Sequence, residues 1–236
     1  MTHILAFDTS SPVLSVALKS GSGEILEAQV AGFLRHAENL LPLIDRLLQK
    51  NKIALDKIDR ILIGRGPGSF TGLRVGFATL KGFKAVGQQH YYGSTSLDMI
   101  AENADLPEKS ELAVCLDSGR EKFFVRFYKR VNQSWRAKGR IEVLTLAETA
   151  ERLPENVFMT GDALRRYQEK LLELAHGKNP RILPELLWYP KAATLIRWAV
   201  KKNPALKSLK TVRDFLPFYA RLSEPEEKRK HAAACC

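Results

Sequence analysis

The sequence predicts an α/β protein of two related lobes, each with a sheet flanked by helices. Apolar segments of strand length alternate with segments of helical spacing along most of the 236 residues. Two apolar strands also end alike, in an aspartate with a serine close by, followed by a turn and another strand. These aspartates are Asp8 and Asp117. This repeated pattern favours an internal duplication, although a strand, aspartate and turn can recur by chance in any α/β protein.

The first lobe is predicted to begin with a three-strand antiparallel meander that turns at Gly21-Ser22-Gly23. Helical spacing follows over residues 34–50, where Pro42 requires a start just upstream or a kink. A short buried strand at Ile58–Ile63 then runs into the glycine-rich loop 64–72 and a helix over Leu73–Val86. The order of strand, loop and helix is typical of α/β proteins.

The second lobe is predicted to start with a buried strand at Leu112–Leu116 and an alternating strand at Lys122–Arg130. Alternation buries Phe123, Val125 and Phe127. It places five residues on the opposite, basic and aromatic face: Lys122, Phe124, Arg126, Tyr128 and Arg130. That face could stack on single-stranded RNA, while a solvated face or a partner contact is the more ordinary interpretation. The polar stretch 102–110 is a plausible crossing point, so we expect domains at 1–102 and 103–236, with the C-terminal segment packing back on the first.

Composition places the chain among soluble, cytosolic proteins. A hydrophobic content of 45% supports a sizeable core, and we find neither a bilayer-length apolar run nor a signal peptide. Cys115 lies in an apolar run and Cys235 neighbours Cys236, which argues against a disulfide framework. The net charge of +11 is typical of a nucleic-acid or acidic protein partner and does not choose between them. Lys228–Lys230 contributes to it as a solvated end or a binding arm.

The glycine-rich loop is the strongest local signal for a ligand. Glycines at 66 and 68, followed by Ser69, could turn backbone N–H groups inward to hold phosphate at a helix start. The spacing matches neither a P-loop nor GxGxxG, so a purely structural turn explains it equally well. Asp8, with Ser10 and Ser11, and Asp117 stand where open α/β sheets meet ligands. Alternatively, each aspartate caps its own turn.

Other chemistry has little support in the sequence. The five histidines are too far apart to share a helical turn, no Cys-x-x-Cys accompanies them, and no nucleophile motif occurs, so we expect neither metal nor catalytic residues. His36 is expected at the surface or capping the first helix. Gly72, Gly76 and Gly82 permit close approach of another backbone, inside the chain or across an interface.

Several stretches of the chain resemble the TsaB family. They are ILAFDTSSPVLSVAL, RHAENLLPLIDRLL, GRGPGSFTGLRVGFATLKG, DSGREKFFVRFY and PFYAR, and the similarity thins between residues 135 and 205. GPGSFTGLR keeps the family's pattern letter for letter. The resemblance implies the actin-like, sugar-kinase-like (ASKHA) fold, with two lobes that each hold a mixed sheet flanked by helices.

The resemblance also implies a role in making threonylcarbamoyladenosine on tRNA. Members act as non-catalytic partners that bind and activate TsaD, which transfers the threonylcarbamoyl group to the adenosine beside the anticodon. TsaE, an ATPase, joins the larger complex, TsaC supplies the adenylate donor, and a homodimer forms when TsaD is absent. Contact with tRNA is then indirect, and neither a cofactor nor a membrane is implied.

The family's interface is formed by the helices that match 35–50 and 70–86. Carried over to this sequence, the contact residues are His36, Leu40, Leu43, Ile44, Leu47, Phe70, Leu73, Arg74, Phe77 and Leu80. This favours an interface role for the helix glycines.

The chain departs from the catalytic relatives at two places. TsaD binds its metal through HxxxH, whereas this chain has Ser94-Thr95-Ser96-Leu97-Asp98 in the corresponding region. The second-lobe loop that would hold adenosine, Met159–Ala163, has a single glycine. These departures argue against catalysis and ATP binding by the chain alone. The alternatives are a small-molecule kinase of the same fold, a stand-alone RNA-binding protein and, with least support, a metalloprotease.

Overall fold

The computed structural model of the chain describes residues 2–32 and 35–218. The basic tail Lys228–Lys230, the end of PFYAR, and Cys235 and Cys236 lie outside the described residues. Within the described ranges, no helix is long and apolar enough to cross a bilayer.

The regular elements follow one another in the alternating order that the sequence predicts. The strands are β1 Ile4–Asp8, β2 Val13–Lys19, β3 Ile25–Ala31, β4 Arg60–Gly64, β5 His90–Ser94, β6 Glu111–Asp117, β7 Lys122–Val131, β8 Ser134–Thr145, β9 Phe158–Thr160, β10 Arg181–Ile182 and β11 Lys207–Ser208. The helices are α1 His36–Lys50, α2 Phe70–Val86, α3 Ser96–Ala101, α4 Leu146–Arg152, α5 Leu164–Leu174 and α6 Ala192–Lys201. Short 3₁₀ turns lie at Leu55–Lys57, Glu185–Leu187 and Val212–Phe215.

The strands form two mixed sheets that share a five-strand topology, to which the first sheet adds the antiparallel edge strand β11. The first has the order β11-β5-β4-β1-β2-β3 and the second β10-β9-β6-β7-β8. In each, three consecutive strands form an antiparallel meander, and the first of them also pairs in parallel with a later strand, β4 or β9. The predicted first meander is therefore confirmed, and the shared topology is what the duplication hypothesis predicts.

Alternating residues of the first sheet pack on two sets of helices. One face packs with α1 and α2, as Leu5 and Phe7 illustrate. The other face, which includes Ile4 and Ala6, packs against α6 from late in the chain. Both faces of this sheet are thus buried, as is common where parallel strands carry helices on each side.

The second sheet is covered on both faces as well, and this corrects one prediction. Phe123 and Val125 pack towards α4 and α5, as the alternation of β7 predicts. Phe124 and Tyr128, expected on an open face, are 6% and 2% exposed because α3 covers that side. A bulge between Val125 and Phe127 also interrupts the alternation, and Phe127 is only partly buried.

Candidate functional site

The glycine-rich loop folds onto the turn that follows β1. The N–H of Ser69 donates to the carbonyl of Ser10 at 2.7 Å, and the carbonyl of Gly66 accepts from the N–H of Ser96 at 2.9 Å. A Cβ at Gly68 would lie 2.1 Å from the Ser10 oxygen, so only glycine fits there. These backbone groups are engaged within the chain, which supports the structural interpretation of the loop.

Asp8 lies beneath this loop and is fully buried. Its Oδ1 accepts from the N–H of Ser10 at 2.9 Å and from the Ser10 hydroxyl at 2.8 Å. A Cβ at Gly64 would stand only 1.7 Å from Asp8 Oδ2, so glycine at 64 makes room for the carboxylate. Burial raises the pKa of Asp8 from 3.8 to about 6, against the lowering effect of the Ser10 hydrogen bonds. Asp8 thus caps its own turn, as the alternative interpretation holds.

Ser10 and Ser11 complete this turn. The Ser10 hydroxyl also lies 2.7 Å from the Ser96 hydroxyl at the start of α3. The Ser11 hydroxyl donates to the Val13 carbonyl at 2.9 Å. His36, expected at the surface or as a cap, is instead 5% exposed, and its Nε2 lies 2.8 Å from the Ser11 carbonyl. It joins the start of α1 to the turn.

Asp117 has partners of its own in the second lobe. Its Oδ1 accepts from the N–H of Gly119 at 2.7 Å, and its own N–H donates to Asp162 Oδ1 at 2.9 Å. Burial raises the pKa of Asp162 from 3.8 to about 7, and the nearby Asp117 charge acts in the same direction. Gly161 adopts φ +112°, and a Cβ there would lie 2.1 Å from the Cys115 carbonyl, so this loop also closes onto a strand. The sequence placed Asp162 in a loop but did not mark it as a site residue.

The predicted partner-interface residues divide into buried and exposed groups. Eight of them are buried within the chain: His36, Leu40, Leu43, Ile44, Leu47, Leu73, Phe77 and Leu80. Phe70 and Arg74 are exposed, with the Arg74 guanidinium 5.1 Å from the centre of the Phe70 ring. The structure contains no second chain, so the interface role of all ten stays a prediction.

The exposed side of α2 presents a regular row of residues, which we call the α2 ridge. Its members recur every fourth position and are all exposed: Phe70, Arg74, Ala78, Gly82 and Val86. Residues at this spacing lie on one helix face and form the rows that pack into the grooves of a neighbouring helix.

Over residues 2–32 and 35–218, no three His, Cys, Asp or Glu side chains converge as metal ligands. The region Ser94–Asp98 instead supplies structural hydrogen bonds. Asp98 accepts from Thr95 Oγ1 at 2.6 Å, Arg126 Nη1 at 3.0 Å and Tyr128 Oη at 2.8 Å. Arg126 and Tyr128 therefore face α3 rather than a solvated surface.

The chain is similar to proteins of known family in sequence and in structure. It is 23% identical over 222 residues, 92% of this chain and 96% of the relative, to the "tRNA threonylcarbamoyladenosine biosynthesis protein TsaB" of Buchnera aphidicola subsp. Baizongia pistaciae. The Haemophilus influenzae protein of the same name is 40% identical over 79 residues, 34% of this chain and 33% of that protein. A Pseudomonas aeruginosa crystal structure, of a protein described as similar to peptidase YeaZ, superposes with a TM-score of 0.76 at 26% identity, covering 94% of this chain and 100% of that one.

The two similar mixed sheets with flanking helices define a two-lobed protein of the actin-like, sugar-kinase-like fold. The family model described as "TsaD: tRNA N6-adenosine threonylcarbamoyltransferase" matches residues 33–221. The chain belongs to this family and, within it, to the TsaB (YeaZ-like) group, whose named relatives act in tRNA threonylcarbamoyladenosine biosynthesis.

Proposed function

We propose that the chain is a non-catalytic partner subunit that binds a TsaD-like protein and activates its transfer of threonylcarbamoyl to the adenosine beside the tRNA anticodon. The observation that carries the proposal is the α2 ridge, a regular helix face that is exposed in the part of the chain that the structure describes. The names of the relatives support the pathway. The ridge supplies a surface for the partner.

Gly82 is the most informative member of the ridge. Within α2, Gly72 and Gly76 are required by the chain, since a Cβ there would lie 2.0 Å from the Thr9 carbonyl or 2.4 Å from Thr9 Oγ1. A Cβ at Gly82 would meet nothing within 4 Å. An interior helix glycine costs about 1 kcal/mol relative to alanine, and no contact in the described chain offsets that cost at Gly82. A close-packed partner helix would explain it.

The rest of the ridge suits a helix-to-helix contact. Ala78 and Gly82 form a shallow centre that allows close approach, while Phe70 and Val86 are 43% and 82% exposed at its two ends. On the neighbouring helix α1, Leu41 is 52% exposed. Large apolar side chains flanking a small-residue centre can anchor a partner, and the single charge of Arg74 adds orientation.

The first-lobe turn supports the non-catalytic part of the proposal. A kinase of this fold would need free backbone N–H groups and an available carboxylate near the phosphates. Here the Ser69 N–H and one carboxylate oxygen of Asp8, Oδ1, are engaged with Ser10. The other oxygen, Oδ2, has no hydrogen-bond partner among the described residues and is buried beneath the loop. The loop would have to separate from the turn after β1 before it could receive a nucleotide.

The wider assembly follows from the same proposal. A TsaE-like ATPase joins the complex, tRNA meets the chain only through the complex, and two copies pair through the α2 ridge when the TsaD-like protein is absent. We place this activity in the cytoplasm. We also propose that residues 1–102 form the partner-binding lobe and 103–236 the second lobe, with the chain beyond α5 returning to the first sheet.

The test is binding of the TsaD-like protein from the same organism by Gly82→Arg and by a matched control, Ala147→Arg. Both positions are exposed in helices, Ala147 lies on α4 of the second lobe, and each variant adds the same charge. Calorimetry with purified proteins measures affinity, and circular dichroism verifies folding.

We expect Gly82→Arg to stay folded and to bind at least tenfold more weakly, because a long side chain keeps the helices apart. Ala147→Arg should bind as the wild type does. Equal binding by wild type and Gly82→Arg would remove the ridge from the interface. Threonylcarbamoyl transfer by the chain alone would refute the non-catalytic role.

A further inference from the structure

A cavity of about 450 Å³ lies between the two sheets, away from the α2 ridge. It is bounded by the ends of β4 and β5, the start of α3, the middle of β7, the start of β8, and the segment that joins α6 to β11. This volume is within the range of small-molecule sites in proteins.

Three side chains that line the cavity carry buried polar atoms without a partner. They are Arg65 Nε, Ser94 Oγ and Trp198 Nε1, none of which has a hydrogen-bond partner in the part of the chain that the structure describes. Ser94 and Trp198 are each 3% exposed. Leaving a buried donor unpaired is costly, and the three residues that carry these donors all line one cavity. A ligand with acceptor atoms would meet the donors after small adjustments of these side chains. Two of the three groups are N–H donors, which favours oxygen acceptors.

The Arg65 side chain is held in place before any ligand arrives. A Cβ at Gly93 would lie 2.7 Å from Arg65 Cγ and 2.8 Å from Cδ, so the arginine stem crosses β5 directly over this glycine. The Arg65 backbone is fixed at both ends, since its N–H donates to Ser94 at 2.8 Å and its carbonyl accepts from Phe218 at 2.8 Å. A guanidinium held in this way loses little freedom when it binds an anion.

Charge and shape further define the ligand. The cavity lining includes the cations Arg65, Arg126 and Lys207 and the carboxylates Asp98 and Glu102. Because Arg126 already pairs with Asp98 at 3.0 Å, the remaining cations outnumber the remaining carboxylate. This balance favours an anionic ligand.

Aromatic rings from both halves of the chain contribute walls to the cavity. Trp135 and Tyr128 come from the second sheet, and Trp198 and Phe218 from the chain that returns to the first. The Nε1 of Trp135 donates to the Ala104 carbonyl at 2.9 Å, and the Arg130 guanidinium lies over the Trp135 ring at 5.3 Å from its centre, which leaves the other face of the ring for a ligand. Flat aromatic walls favour a planar group beside the anion.

In the first sheet the cavity lies at the same edge as Asp8, since Arg65 follows β4 and Ser94 ends β5 there, whereas in the second sheet it lies away from Asp117. On β7, Tyr128 pairs with Leu112 near the start of β6, whereas Asp117 ends β6 and pairs with Phe123. Neither Asp8 nor Asp117 lines the cavity.

We propose that this cavity binds a small organic oxyanion, a carboxylate or a phosphate ester, that carries a planar ring. Arg65, Ser94 and Trp198 donate to the oxyanion, and the ring lies among the aromatic walls. The site acts in the isolated chain and does not depend on binding to a TsaD-like protein, so the failure of either proposal leaves the other standing.

The test uses the full chain labelled with 5-fluorotryptophan and observed by fluorine NMR. Trp135 and Trp198 line the cavity, whereas Trp188 is buried in the second-lobe core with its Nε1 bonded to the Leu183 carbonyl at 2.7 Å. Trp188 is therefore an internal control. The probes are benzoate and phenyl phosphate, which share a ring and differ in the anion, with benzyl alcohol and inorganic phosphate as ring-only and anion-only controls.

We expect one or both ring-bearing anions to shift the Trp135 and Trp198 signals saturably, with a Kd on the order of 1 mM for such small fragments, and to leave Trp188 unchanged. The stronger of the two identifies the anion as carboxylate or phosphate. The two controls should bind at least several-fold more weakly. If neither anion produces a saturable shift, or if both shift Trp188 equally, the proposal is wrong.

Two variants tie binding to the unpaired donors. Arg65→Met keeps the stem over Gly93 and removes the charge, and should weaken binding of the preferred anion by about tenfold or more. Trp198→Phe keeps a ring and removes the N–H, and should weaken it several-fold. Arg152→Met, which breaks an exposed pair with Glu142 at 2.9 Å outside the cavity, should change nothing. Unchanged affinity in a folded Arg65→Met would overturn the assignment.

Discussion

The three glycines of α2 provide a graded test of how this helix is used. Replacing each by alanine adds one methyl group at a place where the surrounding space is known. At Gly72 the new Cβ would lie 2.0 Å from the Thr9 carbonyl, about 1.4 Å inside an ordinary contact of 3.4 Å. A backbone atom cannot rotate away, so the helix start or the end of β1 must shift. Such overpacking costs about 1–3 kcal/mol, and occasionally more.

The other two positions should behave differently. At Gly76 the nearest atom is the Thr9 hydroxyl oxygen, 2.4 Å away, and a side chain can adjust at lower cost than a backbone. At Gly82 there is open space, so alanine should stabilise the chain by about 1 kcal/mol through helix propensity. For a chain of this length, that corresponds to a rise of about 2–4 °C in Tm.

Thermal and urea unfolding of the three single variants measure the series. We expect the free energy of unfolding of Gly82→Ala to lie above that of the wild type and that of Gly76→Ala to lie at or below it. Gly72→Ala should be the least stable, by about 2 kcal/mol or more relative to the wild type. Gly76→Ala should cost less stability in a Thr9→Ala background than in the wild type, because the hydroxyl that the new methyl group would meet is gone. Destabilisation by Gly82→Ala as large as that by Gly72→Ala would refute the division of α2 into a packed and an open face.

Three further predictions concern the core and its buried acids. Leu73→Asp should prevent folding rather than merely weaken an interface, because Leu73 is 1% exposed and an unpaired buried charge is very costly. A cooperative unfolding transition near that of the wild type would contradict this prediction. Because the pKa of Asp8 is raised from 3.8 to about 6, the native state binds more protons than the unfolded state between these pH values. The free energy of unfolding should therefore fall as the pH rises through that window. The contribution of Asp8 to the fall is up to about 3 kcal/mol. Urea titrations across pH should show a weaker fall in Asp8→Asn, and equal slopes would be evidence against the assignment. Tyr128→Phe should lower the free energy of unfolding by about 1.5–3 kcal/mol, the range for a hydrogen bond to a charged group, because it removes the 2.8 Å bond to Asp98. Unchanged stability in urea would show that this bond contributes nothing.

The elements with a clear local period could be predicted from the sequence. The β1–β3 meander and the helix pair were predictable because apolar residues recur at the strand or helix period and glycines mark the turns. The similarity of the two sheets was predictable because Asp8 and Asp117 follow strands of the same kind. The Asp8 cap was one of two stated alternatives, since a short acid beside Ser10 suits an Asx turn.

The face of β7 was not predictable, because alternation separates two faces of a strand without saying what covers each. Phe124 and Tyr128 are buried by α3, which lies more than 20 residues earlier in the chain. The bulge after Val125 also has no clear sequence signal. Arg126 was expected on an open face for the same reason: its partner, Asp98, is distant in sequence.

The cavity was also beyond sequence reasoning. Its donors come from the loop after β4, the end of β5 and helix α6, and no local spacing relates Arg65, Ser94 and Trp198. Only the return of α6 to the first sheet brings the tryptophan to the other two. The motif GRGPGSFTGLR includes Arg65, but its pattern directed attention to the glycines rather than to the arginine.

We propose that this chain activates a TsaD-like enzyme without performing chemistry of its own. The most direct measurement is threonylcarbamoyl transfer to tRNA by the TsaD-like protein and its upstream and ATPase partners, with wild type, with Gly82→Arg, or without this chain. We predict transfer with wild type, a large loss with Gly82→Arg, and none by the chain alone. Full transfer without the chain would show that the TsaD-like enzyme needs no activator, and transfer by the chain alone would show that it is itself catalytic.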